Sequence, residues 1–377
     1  MAKKIHITHI VYHFGTGGLE NGIVNLINHL PAENYRHSIV CLSGFDPEFF
    51  KRVKQPIHIE SIDKAPGPDW KYYSTMWRVL RRLKPDIVHT RNMATMEYQI
   101  PAFFARIRRR IHGEHGWDMS DLGGTNSRYV RLKQTLRPLV HEFIALSAQS
   151  AEYLVDKINV RPEQCHQIIN GVDTERFTPE GDKAETPTGF LGDNSIIFGC
   201  VGRLASVKNH QLLADAFITL CQSQPDLAPR LRLIIVGEGE CRQALEQKMT
   251  AAALSHQVWL AGNQQQIPAF MRLFNLFVLP SLAEGISNTV LEAFASGLPV
   301  IATDVGGNSE LVENNKNGTL TPSDQINALV EVMAEYALNA EKITIQGINA
   351  RQTAETQFSL TQMVDRYSAV YSPNSLT

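Results

Sequence analysis

The chain has 377 residues, 43% of them hydrophobic and 20% charged, with a net charge of −2. That length predicts two domains of roughly 150 to 200 residues each. The composition excludes a disordered chain, and no apolar run approaches the roughly 20 residues that span a bilayer. The five cysteines, Cys41, Cys165, Cys200, Cys221 and Cys241, are odd in number and form no CxxC pair, which argues against a disulfide framework or a zinc cage. Two lysines follow Met1 and lead into IHITHIVYHF, which has three histidines and no small-residue cleavage site, so the expected location is the cytoplasm.

The small net charge hides an asymmetry. Residues 1–180 hold 24 Lys+Arg against 19 Asp+Glu, and the remainder 12 against 19. Between Arg78 and Arg137 there are 13 basic residues and 5 acidic ones, with RIRRR at 106–110. This is either a solvated basic face or a surface attracted to an anionic acceptor or membrane. No nucleic-acid-binding motif accompanies it, and no nucleic-acid partner is expected.

In chain order, KIHITHIVY reads as a buried strand, GLENGIVNLINHL as a helix and RHSIVCL as a second strand. A helix near 70–83, the strand DIVHT, a helix MEYQIPAFFARI interrupted by Pro101, and strands near RIHGEH and EFIAL continue the alternation. Residues 170–195 are rich in Gly, Pro, Thr and Asp without periodicity, which suits a linker, placed at 176–195. IIFGCVG, RLIIVG, VWLAG, LFVLPS and PVIAT then read as the strands of a second half, and a last helix falls around 360–371. Strands alternating with helices imply parallel sheets. The expected domains are 1–175 and 196–355, with a C-terminal segment 356–377 able to pack back on the first. Ligands in doubly wound sheets bind beyond the carboxyl ends of the strands, and the polar motifs fall there.

In PSLAEGISNTVLEAFASGLPVIA, residues 280–302, a strand turns into a helix with Ser287 or Asn288 as its cap. The amides of Asn288, Thr289 and Val290 then lie at the positive end of a helix dipole, where a phosphate fits. Glu284 in the turn and Glu292 in the helix are placed to grip opposite ends of one elongated ligand, and a carboxylate accepting from a vicinal diol is how ribose is recognised. In VGRLASVKN, residues 201–209, Arg203 and Lys208 supply two cations suited to a diphosphate. YHFGTGGLENG, residues 12–22, is a glycine-rich strand-to-helix turn; Glu20 stands where the dinucleotide fingerprint needs its last glycine, so that fingerprint fails. HGEHGWD, residues 112–118, offers His115 after a strand, with His112 as the competing assignment. VGEGE, residues 236–240, is a lone glycine turn. No Asp-x-Asp and no metal-spaced His/Cys cluster occurs, so no metal and no cofactor are expected.

The run PSLAEGISNTVLEAFASGLPVIATDVGGNSELV resembles the nucleotide-sugar signature of retaining GT-B glycosyltransferases, in the large family that includes sucrose and mannosyl transferases (family 4). The resemblance covers nearly the whole chain and extends to bacterial exopolysaccharide-associated sugar transferases. It implies a GT-B fold, two doubly wound Rossmann-like domains facing across a cleft. It further implies that Glu284 touches the donor hexose, that the backbone of Gly285, Ile286, Ser287, Asn288, Thr289 and Val290 holds hexose and phosphate oxygens, and that Glu292 binds the ribose. Gly17 and Gly18 match the family's glycine loop, Arg203 and Lys208 its diphosphate-neutralising pair, and His115 the histidine near the reacting sugar. Ile286 and Ser287 stand where Phe-Gly is common, and Asn275 where Asp is common. The implied reaction moves a hexose from a UDP or GDP sugar to a glycan or lipid-linked acceptor with retention, by a same-face displacement in which the leaving phosphate takes the acceptor proton. With the basic stretch and Trp70, Tyr72, Tyr73 and Trp77 beside it, an anionic membrane surface is an expected partner. A nucleotide-sugar epimerase of the same fold and a non-catalytic nucleotide-sugar-binding protein are the alternatives.

Overall fold

A computed structural model describes residues 3–65, 67, 70–116 and 124–372. The described residues up to Gly171, together with those from Leu360 onward, form one compact unit, and Val172–Ser359 form the other.

The first unit is built on a seven-stranded parallel sheet: β1 (Ile5–Val11), β2 (Tyr35–Cys41), β3 (His58–Ser61), β4 (Ile87–Arg91), β5 (Arg109–Glu114), β6 (Glu142–Ala145) and β7 (Cys165–Gln167), in the order β3-β2-β1-β4-β5-β6-β7. Its central strands are buried on both faces, so that polar residues such as His6, Thr8 and His9 in β1 and His89, Thr90 and Arg91 in β4 lie inside with the apolar ones. One face carries Ile7, Ile87, Ile111 and Ile144, covered by the Gly18–His29 helix and by Met363, Val364, Tyr367 and Tyr371 of the Leu360–Tyr371 helix. On that face a row of imidazoles crosses three strands. His9 lies opposite His89 in the β1–β4 register, and His9 Nε2 meets His37 Nδ1 at 3.0 Å. Tyr371 Oη closes the row on His89 Nδ1 at 2.7 Å.

The helix expected around Pro101 is divided into Met93–Met96 and Gln99–Phe104. Pro101 occupies the third position of the latter, in the first turn, where its missing N–H is not needed. The basic stretch is not one surface. Arg91, Arg109, Arg110 and Lys133 are buried, and of RIRRR only Arg106 and Arg108 are exposed among the arginines. Arg109 pairs with Glu142 at 3.1 Å, and Arg110 donates to the carbonyls of Leu139 and Ile107.

The second unit has six parallel strands: β8 (Ile196–Val201), β9 (Leu231–Val236), β10 (Val258–Gly262), β11 (Leu276–Leu279), β12 (Val300–Thr303) and β13 (Gly318–Thr321). Their order, β10-β9-β8-β11-β12-β13, repeats the winding of the first sheet. β8, β9, β11 and β12 are apolar runs in one packed core. Gly199 in β8 leaves room for the Phe274 ring, which would lie 2.0 Å from a Cβ placed there. Residues 176–195 have no helix or strand, yet Phe177 and Phe190 are buried and the Ala184 amide donates to Ala269. Asn275 ties the start of β11 to β8: its Oδ1 accepts from the Ile197 amide at 2.8 Å, while its own amide donates to the Ile197 carbonyl.

Candidate functional site

In the second unit, β8 and β11 are neighbours whose connections run to opposite sides of the sheet, the switch point at which doubly wound sheets open a crevice. Arg203 and Lys208 follow β8, and Glu284 follows β11. The two loops are joined by the backbone, since the Leu282 amide donates to the Val207 carbonyl at 2.8 Å. Lys208 Nζ lies 2.5 Å from Glu284 Oε1, and the Ser281 hydroxyl donates to the same oxygen at 2.6 Å. The Glu284 side chain is only 8% exposed, and those two donors replace the water that burial removes from Oε1. Ser281 is itself fully buried and held by Thr303 Oγ1, which donates to its carbonyl at 2.6 Å. Arg203 is exposed and has no side-chain partner among the described residues.

Ser287 caps the Asn288–Ala295 helix, its hydroxyl accepting from the Val290 amide at 3.4 Å and meeting Thr289 Oγ1 at 3.0 Å. That interaction engages the Val290 N–H, and Asn288 and Thr289 form the first turn at the positive end of the helix dipole. The side chains of Ile286 and Val290 are buried and anchor the turn from inside. Glu292 lies one turn into the helix and is partly exposed.

Glycines shape this loop by close approach. Gly306 has φ +55°, and a Cβ there would fall 1.8 Å from the Glu284 carbonyl oxygen. A Cβ on Gly307 would fall 2.3 Å from the Gly285 carbonyl, to which the Gly307 amide donates at 2.8 Å. Gly237 and Gly239, in the VGEGE turn, do the same for the other loop. Their φ values are +146° and +156°, and a Cβ on either would strike the carbonyl of Gly202 or Leu204. The turn that looked unremarkable in sequence therefore fixes the Arg203 loop. Ser281 and these glycines are residues that sequence reasoning left without a role; a hydroxyl three residues before a buried acid was the available signal.

In the first unit the corresponding switch point lies between β1 and β4. Gly17 and Gly18 follow β1, and Gly17 is the N-cap of the Gly18–His29 helix. Asn92 follows β4 with φ +58° and ψ 171°, a conformation uncommon for a non-glycine residue. Its amide donates to Gly113 and its Oδ1 accepts from the His115 amide at 2.8 Å, so this asparagine, also missed in sequence, holds the turn that presents His115. The His115 ring folds back over Gly113, where a Cβ would lie 2.5 Å from Nε2. Burial, followed by the Arg91 charge, pushes the His115 pKa down to about 3, and its Nε2 has no hydrogen-bond partner among the described residues. His112 is engaged at both nitrogens, by Thr90 Oγ1 at 2.9 Å and Glu114 Oε1 at 3.3 Å, and belongs to the core.

Among the described residues no three His, Cys, Asp or Glu side chains are grouped to hold a metal ion, and no helix is long and apolar enough to cross a membrane.

Two family models match successive parts of the chain: "Glycosyltransferase Family 4" over residues 16–176 and "Glycosyl transferases group 1" over residues 184–353. Together they take in most of the sequence, and the chain belongs to the family 4 glycosyltransferases. It is 28% identical, over 98% of its length and 97% of the relative's, to the UDP-Gal:alpha-D-GlcNAc-diphosphoundecaprenol alpha-1,3-galactosyltransferase of Escherichia coli. Over 60% of the chain and 64% of the relative it is 31% identical to the lipopolysaccharide core biosynthesis mannosyltransferase LpsB of Rhizobium meliloti. The structure of Anabaena Alr3699/HepE in complex with UDP and glucose superposes with a TM-score of 0.80 at 19% identity, covering 97% of this chain and 99% of that one. The fold is GT-B, and the protein is a glycosyltransferase.

Proposed function

We propose that this glycosyltransferase is a retaining, metal-independent hexosyltransferase that uses a UDP or GDP sugar and delivers the hexose to a glycan or lipid-linked acceptor in bacterial polysaccharide or glycolipid assembly. The observation that carries this reading is the joint Lys208–Glu284–Ser281 cluster beside a capped helix N-terminus. There the amides of Asn288 and Thr289, with Arg203 and Lys208, surround the departing diphosphate with positive charge before the bond breaks, which costs no reorganisation during the reaction. Glu284, pinned at one oxygen, keeps the other for a hexose hydroxyl, and Glu292 accepts from the ribose diol. Gly285 and Ile286 offer backbone to the sugar, and Gly17 and Gly18 let the first unit's backbone approach its ligand closely. The orphaned Nε2 of His115 is neutral at physiological pH and able to hydrogen-bond a sugar hydroxyl. With two cations and a helix terminus on the diphosphate, the electrostatic task of a metal is met by the chain, and the leaving phosphate itself takes the acceptor proton.

Support for a UDP sugar and a lipid diphosphate acceptor comes from the name of the E. coli relative and from the UDP complex of the Anabaena protein. The test is NMR of the sugar released on slow hydrolysis of UDP-glucose, UDP-galactose and GDP-mannose in EDTA. The α-anomer should appear first from one donor; the β-anomer first, or release only with added Mg²⁺, contradicts the proposal.

The first unit exposes Trp70 (82%), Phe104 (67%), Phe103 and Trp77 on two contacting helices, with Lys71, Arg78, Arg81, Arg82, Arg106 and Arg108 exposed among them. Aromatics with cations suit the interface of an anionic bilayer. This supports peripheral attachment at the cytoplasmic face, and flotation with equal recovery on neutral and anionic vesicles would exclude it.

A further inference from the structure

The Asn288–Ala295 helix, capped by Ser287 at its start, ends on a guanidinium. The last carbonyls of a helix need donors from outside it. Here the amides of Ser296, Gly297 and Leu298 serve the carbonyls of Glu292, Ala293 and Phe294. The Ala295 carbonyl accepts from Arg351 Nη1, which comes from the Ala340–Gln357 helix. A cation at that point also meets the negative end of the helix dipole.

The same nitrogen reaches a second segment. It donates to the Phe177 carbonyl at 2.7 Å and to the Thr174 carbonyl at 3.0 Å. Nη1 carries two N–H bonds and faces these three carbonyls, so the hydrogen bonds compete, and a shift of one partner is felt by the others. Glu355 accepts from Nε at 2.6 Å and fixes the guanidinium, whose side chain is 23% exposed. Pro179 joins the same pieces again. It packs against Gly297, where φ is +74° and a Cβ would fall 2.9 Å from the proline ring. A Cβ on Gly347 would fall 2.4 Å from the Gly297 carbonyl, so the Ala340–Gln357 helix closes on this turn from the other side.

Residues 172–179 are where the chain enters the second unit, and it leaves that unit after Ser359. Entry and exit are paired, since the Val172 amide donates to the Phe358 carbonyl at 2.8 Å and Val172 bridges to Ser359. Asp173 Oδ1 accepts from the amides of Glu175 and Arg176 and shapes the segment into a turn. Arg351 is thus bonded both to the end of the helix and to the entering chain.

We propose that Arg351 is a positioning residue of the transfer reaction: it ties the far end of the diphosphate-binding helix to residues 172–179, so that a nucleotide held at Asn288 and Thr289 orders the entering chain. This rests on the donor reading above. A single short helix is stiff, so a ligand that fixes its first turn also fixes Ala295, and the shared nitrogen passes the constraint to Thr174 and Phe177.

The experiment is hydrogen exchange by peptide on the full chain in EDTA, with and without saturating UDP, for wild type, Arg351→Ala and Arg351→Lys. In wild type UDP should slow exchange both in peptides covering 286–296 and in those covering 172–179, the latter about threefold or more. Arg351→Ala should keep the first effect and lose the second. Should that variant not fold, Arg351→Lys keeps a cation at the helix end without the planar fork, and should show the 172–179 response clearly reduced while 286–296 still responds. A purely structural role would lower protection with and without UDP alike and leave the UDP-induced difference in place. Protection at 286–296 without any at 172–179 in wild type, or a 172–179 response undiminished in the variants, overturns the proposal alone. No UDP-induced protection anywhere in wild type overturns it together with the donor reading.

Discussion

The two sheets share one winding order and differ in what fills them. The inner strands of the second unit are IIFGCV, LRLIIV, LFVL and VIAT, packed with almost no polar side chain. Those of the first unit place His6, Thr8, His9, His37, Ser38, His89, Thr90, Arg91 and His112 at the same depth. Burying such groups is costly unless they satisfy one another, and most do so through contacts such as Thr8 to Ser38 at 2.8 Å, His6 to Ser38 at 3.0 Å and Arg91 to His9, although Nε2 of His37 and of His89 has no partner among the described residues. One topology thus supports two kinds of core. The second unit keeps its charges at the loops, whereas the first runs a polar network from the Leu360–Tyr371 helix to the strand ends.

Acid should separate the units most strongly. Burial, with help from nearby cations, brings His6 to about 4 and His37 and His115 to about 3, and lowers His9, His89 and His112 too. The unfolded chain takes up protons as pH falls below about 6.5 while the folded first unit does not, so stability is complete above that pH and lost below it. Each such histidine contributes up to about 1.4 kcal/mol per pH unit, and the second unit has only His210, at about 4, among comparable groups. Hydrogen exchange by peptide at about pH 7.5 and about pH 5.5 should show the first unit losing several kcal/mol of protection and the second losing far less. Parallel losses would contradict the comparison.

The next effect concerns the second unit alone. Gly306→Ala introduces a Cβ at positive φ against the Glu284 carbonyl and should cost about 1 to 3 kcal/mol of stability. It should abolish UDP binding in calorimetry, while the acid response of the first unit stays unchanged. Lys208→Ala leaves Glu284 with Ser281 as its hydrogen-bond donor and should reduce kcat about 10² to 10³-fold, with a smaller change in the donor KM. The mildest change is Ser281→Ala, which removes one 2.6 Å hydrogen bond to Glu284. A loss of about 1 kcal/mol is expected, visible as a small rise in donor KM; no change would show that Lys208 alone positions the acid.

Legibility followed burial. The central strands of the second unit are apolar runs whose class shows in sequence, and those of the first unit keep enough isoleucine and valine between their histidines to show it too. The edge strands β3, β7 and β13 went unread because HIES, CHQ and GTLT are short and partly polar, being paired on one side only. The motif around Glu284 and Glu292 was visible because cap, turn and helix spacing coincide in one segment. Ser281, Gly237, Gly239 and Gly306 act through contacts with residues distant in sequence or through hydrogen bonds, which no local pattern reports. The basic stretch misled for a related reason, since a run of arginines does not reveal that Glu142 and the Leu139 carbonyl take two of them inside.

The central claim is that the second unit binds a nucleoside diphosphate without a metal through the Glu284–Glu292 segment. Thermal unfolding with and without UDP in EDTA, for wild type and Glu292→Ala, tests it directly. At about 100 times its dissociation constant UDP should add roughly 2.7 kcal/mol, a shift of a few degrees, present in wild type and lost in the variant. A shift that needs Mg²⁺, or one that Glu292→Ala leaves intact, would contradict it.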